Sequence, residues 1–371
     1  MSESKIKDII SHFPFKGDFI EAKETKTGLI NTTFVLTFGD ECGEYKYVLQ
    51  KINTNVFTNP DELMSNIMNV TAFLRNKIKQ NGGNPQRETL TFLYTNDSSP
   101  YFKDVENDCW RAYEHIGGCY TCDSVDEASK AYRAGKAFGH FQKLLSDYPA
   151  DGLFETIKNF HNTPSRFADL EKAIEENKAG RLASVQKEID FARSRISDAS
   201  KLTDMLASEE LPIRVTHNDT KINNVLFNQI TNEAFCVIDL DTIMPGLSLY
   251  DFGDSIRTGA VTKDENERNL QTVSLDMELY EAYTDGFLSE AGEFLTQNEV
   301  NEMAFSVKLM ALEVGVRFLT DYLNGDTYFS ISYPDNNIDR CRNQFRLVED
   351  VESKLDKMNE ITQKLYGSAV N

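Results

Sequence analysis

Hydrophobic periodicity changes once along this chain, and that change constrains the fold more than any other feature. Up to about residue 116, apolar residues come in short β-rich runs, at 19–26, 32–38, 45–52, 89–94 and 109–115. Turn residues such as Gly28 and Gly39-Asp40-Glu41-Cys42-Gly43 separate the first three. Connections this short join neighbouring antiparallel strands, so the first third reads as a meander. Two helices accompany it. One is amphipathic, at 4–12; the other starts at Asn59-Pro60-Asp61, runs through Leu63, Ile67, Val70 and Leu74, and stops at Asn81-Gly82-Gly83-Asn84-Pro85. From Val125 onward Ala128, Tyr132, Gly135, Phe138, Phe141 and Leu145 recur at helical spacing, and helical patterns dominate to the end. The pattern predicts an α+β chain: an antiparallel-sheet lobe at 1–116, a mainly helical lobe at 117–371, and a hinge at Gly117-Gly118.

One stretch breaks the helical pattern of the second lobe. Two apolar runs, 224–227 and 234–238, flank Asn228-Gln-Ile-Thr-Asn-Glu233, which reads as a β-hairpin embedded among helices. The loop before it, His217-Asn218-Asp219-Thr-Lys-Ile-Asn-Asn224, and the residue that ends it, Asp239, carry chemistry. Phosphoryl transfer needs a carboxylate to orient and deprotonate a hydroxyl, plus two oxygen ligands for Mg²⁺. Asp219 sits in the loop, Asn224 opens the next strand, and Asp239 ends the strand paired with it, so the hairpin returns Asp239 to the loop that holds the base. The spacing matches the H-R-D-x-x-x-x-N loop and later metal-binding Asp of protein kinases. Asp251-Phe252-Gly253 also spells the kinase metal motif, yet it lies beyond the hairpin. Asp251 is therefore expected to brace the catalytic loop by hydrogen bonding, and His217 to order it.

Charge narrows the partners. Thirty-nine Lys and Arg against 59 Asp and Glu leave a net charge of −20, a field that repels phosphate backbones and anionic lipid headgroups. Nucleic acid and membrane surfaces are excluded on that ground, whereas a phosphate-bearing small molecule is not, because one Mg²⁺ and a few local cations can dominate a cleft. No apolar run reads as a signal sequence or a membrane span, so the expected compartment is the cytosol. Six cysteines are too sparse for a disulfide scaffold; Cys119 and Cys122, with His115 nearby, read as incidental thiols rather than a redox or zinc pair. There is no Walker A sequence, no H-E-x-x-H and no G-x-S-x-G, which removes P-loop kinases and the common hydrolases.

On its His217-Asn-Asp-Thr-Lys-Ile-Asn-Asn224 loop and Ile238-Asp239, the chain resembles the aminoglycoside phosphotransferase and choline kinase family. The further runs Ile238-Asp-Leu-Asp-Thr-Ile-Met-Pro-Gly246 and Tyr250-Asp-Phe-Gly-Asp-Ser-Ile-Arg257 resemble its N-acetylhexosamine 1-kinase branch. The resemblance implies a protein-kinase-like two-lobed fold, ATP as co-substrate and Mg²⁺ as cofactor. Asp219 would be the base, with Asn224 and Asp239 as metal ligands. It places a phosphate-covering loop at Gly28, Asn31 and Thr32, and the backbone of Glu114 and Ile116 against the adenine. The third strand should supply a phosphate-binding cation, but Gln50 stands where the family has Lys or Arg. Strand alternation sends Gln50 and Lys51 to opposite faces, so either a register shift brings Lys51 in or the phosphates are held differently. Glu62 would be the helix partner of that cation, although Asn66 and Asn69 occupy the next turns. Arg257, Arg317 and Tyr328 are the acceptor-site candidates, with Asp219 facing the reacting hydroxyl. The implied reaction is transfer of a phosphoryl group to the anomeric hydroxyl of an N-acetylhexosamine. An aminoglycoside or choline-type kinase, and a nucleotide-binding pseudokinase, are the competing readings.

Overall fold

The structure, a computed structural model, describes residues 2–25 and 30–370. Strands β1 (Asp18–Thr25), β2 (Thr32–Asp40) and β3 (Gly43–Lys51) form the expected meander. They continue into a sheet with β4 (Phe92–Leu93), β5 (Phe102–Lys103) and β6 (Cys109–Glu114), in the order β1-β2-β3-β6-β4 with β5 also on β6. Every pairing is antiparallel. The expected strand at 89–94 shortens to two residues, because Thr89 and Leu90 are already turned into the core. One face of the sheet carries Phe34, Leu36, Phe38, Tyr47, Leu49, Trp110 and Ala112, and helix α1 (Glu3–Ile10) covers it with Ile6, Ile9 and Ile10. The opposite face, bearing Gln50 and Arg111, is turned toward the rest of the molecule.

Helix α2 (Pro60–Gln80) starts as the sequence predicts, with Asn59 as N-cap accepting from the Glu62 N–H and Pro60 in the first turn. Its buried Asn66 ties it to the other half of the molecule. The amide donates to Phe154 O (2.8 Å) and Ile243 O (3.0 Å) and accepts from Phe154 N (2.9 Å).

The chain leaves the first sheet at β6, passes Gly118 at φ +67°, and joins a second, three-stranded sheet through β7 (Cys119–Tyr120). β7 pairs with β9 (Val225–Asn228), which pairs with β10 (Ala234–Val237): the expected hairpin. A ribbon not foreseen from sequence, β8 (Arg214–Thr216) on β11 (Met244–Gly246), closes the base of the loop that carries Asp219. Around them lie α3 (Ala128–Leu144), α4 (Thr163–Glu176), α5 (Ser248–Gly259), α6 (Met277–Ala291), α7 (Gln297–Asn324) and α8 (Asn336–Ala369). Helices α3 and α6 pack backbone to backbone. A Cβ at Gly135 would meet Tyr283 O at 2.1 Å, and one at Gly286 would meet Tyr132 O at 2.0 Å, so only glycine permits the approach. Helix α7 is buried on almost every side, which explains its lack of a polar face, and a Thr296/Glu299 capping box starts it. The architecture is the expected α+β one, sheet first and helices after. Among the described residues, no helix is long and apolar enough to cross a membrane.

Candidate active site

The loop between β8 and β9 is held from below by the first turn of α5. Asp251 accepts from His217 N (2.9 Å), Asn218 N (2.7 Å) and Gln142 Nε2 (2.8 Å), and its own carbonyl accepts from Thr220 Oγ1 (2.6 Å). Burial pushes its carboxyl up, opposed by these donors. His217 is fully buried; Nδ1 accepts from Asp219 N and Nε2 donates to Ile238 O (2.8 Å), so the ring stitches loop to hairpin. Asn218 is in the left-handed region at φ +64°, a conformation Asn tolerates because its side chain bonds locally, here to Thr216 and to Thr242 O (2.9 Å). The Asn218 carbonyl accepts from His161 Nε2 (3.0 Å), whose Nδ1 donates to Glu313 of α7 (2.9 Å).

This scaffold brings Asp219, Asn224 and Asp239 together. Asn224 Nδ2 donates to Asp219 O (2.8 Å) and Oδ2 (3.3 Å), which leaves the Asn224 Oδ1 pointing elsewhere. Lys221 Nζ lies 2.8 Å from Asp219 Oδ1. Burial alone would raise the Asp219 carboxyl, but Lys221, with the more distant Arg257 adding to it, outweighs burial and holds it below the ordinary carboxylate range. Asp239 sits at φ +60° just past β10. Among the described residues its carboxylate has no hydrogen-bond partner, and although the residue is exposed, the surrounding protein that displaces water from it and the charges of Asp241 and Asp219 push it up to about 6. Two oxygen donors of this kind, a neutral amide and an uncompensated carboxylate, fit a hard divalent cation.

The nucleotide-side expectations divide. Gly28 lies outside the described residues. Asn31 reaches across to the hairpin, donating to Asp241 Oδ2 (2.6 Å) and accepting from Asn53 N (2.9 Å), while Thr32 opens β2, exposed, opposite Lys51. Lys51 is a correction. The registers of β2 with β3 and of β3 with β6 run without a shift, so Lys51 stays on the α1 side of the sheet and pairs with Asp108 (3.2 Å), near Asp104 and Glu106. It does not reach the hairpin. Gln50 faces inward instead and accepts from Arg111. Glu62 makes no ion pair among the described residues, and Asn66 takes the inward position on α2. Glu114 and Ile116 lie where the chain leaves the first sheet; Glu114 N donates to Thr91 O (2.9 Å), and Ile116 O accepts the Cys119 thiol (2.9 Å).

On the acceptor side, Arg257 is the second correction. It is buried, with Nε and Nη2 on Asp254 Oδ1 (2.9 and 2.6 Å) and Nη1 toward Gln344 and Glu265, so it braces α5 beneath the loop rather than facing a ligand. Arg317 and Tyr328 do come together. The Arg317 guanidinium packs over the rings of Phe160 (5.3 Å), Tyr328 (5.8 Å) and Phe329 (5.5 Å), and makes no hydrogen bond or ion pair among the described residues. Tyr328 is 59% exposed. Arg166 stands close enough that the Arg317 charge, after burial, lowers its pKa, and its buried Nε has no partner.

Sequence reasoning missed Lys221, Arg111, Asp241, His161 and Arg166. Lys221 and Asp241 stood inside runs already quoted, and Arg111 was a charge in the middle of an apolar strand, a signal of an inward ion pair. His161 carries no local signal, since its partners Asn218 and Glu313 are 57 and 152 residues away, and Arg166 meets Arg317 only through the fold.

Residues 25–290, well over half of the chain, match the model of the phosphotransferase enzyme family. Solved structures share the architecture. An aminoglycoside phosphotransferase from Alicyclobacillus acidocaldarius superposes with a TM-score of 0.62 at 13% identity, over 96% of this chain and 96% of that one. Aminoglycoside 2'-phosphotransferase-IIIa, as its GDP complex, gives 0.62 at 12% over 93% and 99%. Choline kinase from Cryptosporidium parvum gives 0.58 at 14% over 98% and 99%. At such identities the likeness is one of fold, the protein-kinase-like arrangement of antiparallel sheet and helical lobe. The family match carries further: this chain belongs to the phosphotransferase enzyme family.

Proposed function

We propose that the chain transfers the γ-phosphoryl group of ATP to the anomeric hydroxyl of an N-acetylhexosamine, giving a sugar 1-phosphate. The convergence of Asp219, Asn224 and Asp239 carries the kinase part of this reading. Asn224 Oδ1 and the Asp239 carboxylate would hold Mg²⁺, which when bound neutralises phosphate charge. Asp219, kept ionised by Lys221, orients the acceptor hydroxyl and takes its proton. A carboxylate with a lowered pKa is a weak base, which suits a loose transition state in which positioning outweighs deprotonation. The intact trio argues against a pseudokinase.

The acceptor reading rests on Arg317, Tyr328 and Arg166. Two guanidiniums, one unpaired among the described residues, oppose a cationic acceptor such as choline or an aminoglycoside. Their donors, with the Tyr328 phenol, suit the hydroxyl and amide oxygens of a neutral sugar. An anomeric hydroxyl is the most acidic on the ring and needs least from a weak base. Coupled ADP release over GlcNAc, GalNAc, glucose, galactose, choline and kanamycin tests this directly. N-acetylhexosamines should turn over best, and turnover confined to choline or kanamycin would refute the acceptor assignment.

A further inference from the structure

Among the described residues, the sheet face turned toward the hairpin carries one buried cation, and it is not on β3. Gln50 and Arg111 are directly opposed in the β3–β6 register and share that face. Gln50 Oε1 accepts from Arg111 Nε (3.0 Å) and Nη2 (2.8 Å), while its Nε2 donates to Thr33 Oγ1 (3.1 Å), so the whole amide is used to aim the guanidinium. Arg111 Nη1 lies 2.5 Å from Asp241 Oδ1, two residues beyond Asp239, and the Arg111 side chain is only 2% exposed. That contact is an ion pair without a well-directed hydrogen bond, leaving Nη1 with donors unsatisfied. Asn31, at the start of β2, holds the other oxygen of Asp241 (2.6 Å).

A buried guanidinium with unused donors needs further acceptors. Phosphate oxygens match its fork. Lys51 cannot serve, since it is on the outer face with Asp108. Helix α2 offers no carboxylate at the cleft, because Asn66 occupies the inward position. The missing cation and the missing carboxylate are thus both replaced: the cation by Arg111 one strand over, the carboxylate by Asp241 on the hairpin loop.

We infer that Arg111, aimed by Gln50 and paired with Asp241, is the residue that binds the phosphates of the nucleotide, in place of a cation on the third strand. This rests on the kinase reading of the site. It explains why Gln50 stands where a cation was expected: a Lys there would face Arg111 at close range.

Calorimetric titration in EDTA with ADP, and separately with adenosine, tests the inference without turnover or metal. Arg111→Gln should weaken ADP binding on the order of 10- to 100-fold, the range for hydrogen bonds to a charged group, and leave adenosine binding unchanged. The exchange Gln50→Lys with Arg111→Gln, which moves the charge to the facing strand, should recover most of the lost ADP affinity. Gln50→Leu keeps the charge and removes the aim, so it should give a smaller loss confined to ADP; it carries the test alone if Arg111→Gln does not fold. ADP affinity unchanged in these variants, or ADP and adenosine lost in parallel, overturns the inference while leaving the kinase reading in place. A wild-type chain that binds neither ligand overturns both.

Discussion

The Asp219 carboxylate has one oxygen on Lys221 Nζ and the other near Asn224 Nδ2, so a charge and a shape can be separated there. Replacing it with Asn keeps the shape and removes the charge, so kcat should fall ~10²- to 10⁴-fold while nucleotide affinity holds. Stopped assays of kcat beside ADP titration check this, and a variant keeping more than about a third of wild-type kcat removes Asp219 from the role. The two later aspartates should separate. Asp239→Ala should abolish Mg²⁺-dependent enhancement of ATP binding, since among the described residues the Asp239 carboxylate has no hydrogen-bond partner and is crowded by the charges of Asp241 and Asp219. Asp251→Asn should leave that enhancement and lower kcat, because its bonds go to the backbone of His217 and Asn218. Binding with and without Mg²⁺ for both variants decides. Arg317→Ala should raise KM for the sugar by roughly 1.5–3 kcal/mol equivalent with KM for ATP unchanged, as expected when a charged hydrogen-bond donor is lost; equal effects on both constants would make it a packing residue.

At the scale of elements, the loop carrying Asp219 hangs from α5 below and from α7 at the side. The second link is His161. Its Nε2 meets a carbonyl and its Nδ1 a carboxylate, so both nitrogens donate and the ring is an imidazolium. Burial pushes His161 down, but Glu313, the Asn218 carbonyl and the more distant Asp254 outweigh it and raise it above 6.5; Tyr250 packs against the ring. Burial pushes Glu313 up, but His161, Arg317 and Thr163 hold it below 4.5. A raised histidine contributes its stability fully below 6.5 and loses it as pH rises through the folded value. A lowered glutamate contributes above 4.5 and loses it as pH falls. The stability advantage of the wild type over His161→Gln should therefore be largest between pH 4.5 and 6.5 and shrink above. Thermal unfolding across that range checks it, and an advantage that grew with pH would contradict the charged pair. Local elements were legible in advance because turn residues, caps and periodicity act within a few residues. The embedded hairpin was readable from Asn228 to Glu233 alone. The β8–β11 ribbon was not, since its strands are three residues long, pair with one another across nearly 30 residues of chain, and are anchored by Arg214 to Glu299 far along the sequence.

Across the whole molecule, the site is where two halves with different periodicities meet, and Asp241 receives both Arg111 and Asn31 from the first half. That explains the unequal legibility of its parts. Asp219, Asn224 and Asp239 are joined by one hairpin, so spacing along the chain is nearly spacing in space. Lys51 misled because parity along a strand was known but the register with β6 was not; once Gln50 opposes Arg111, Lys51 has no route to the cleft. Arg257 misled because its partner Asp254, three residues back on the same helix, satisfies it locally. The central claim, phosphoryl transfer to an anomeric hydroxyl, is tested most directly by phosphorus NMR of the product formed from Mg·ATP and GlcNAc. A resonance coupled to the anomeric proton, lost after mild acid treatment, is the predicted result; a 6-phosphate, or no phosphorylated sugar at all, would contradict the account.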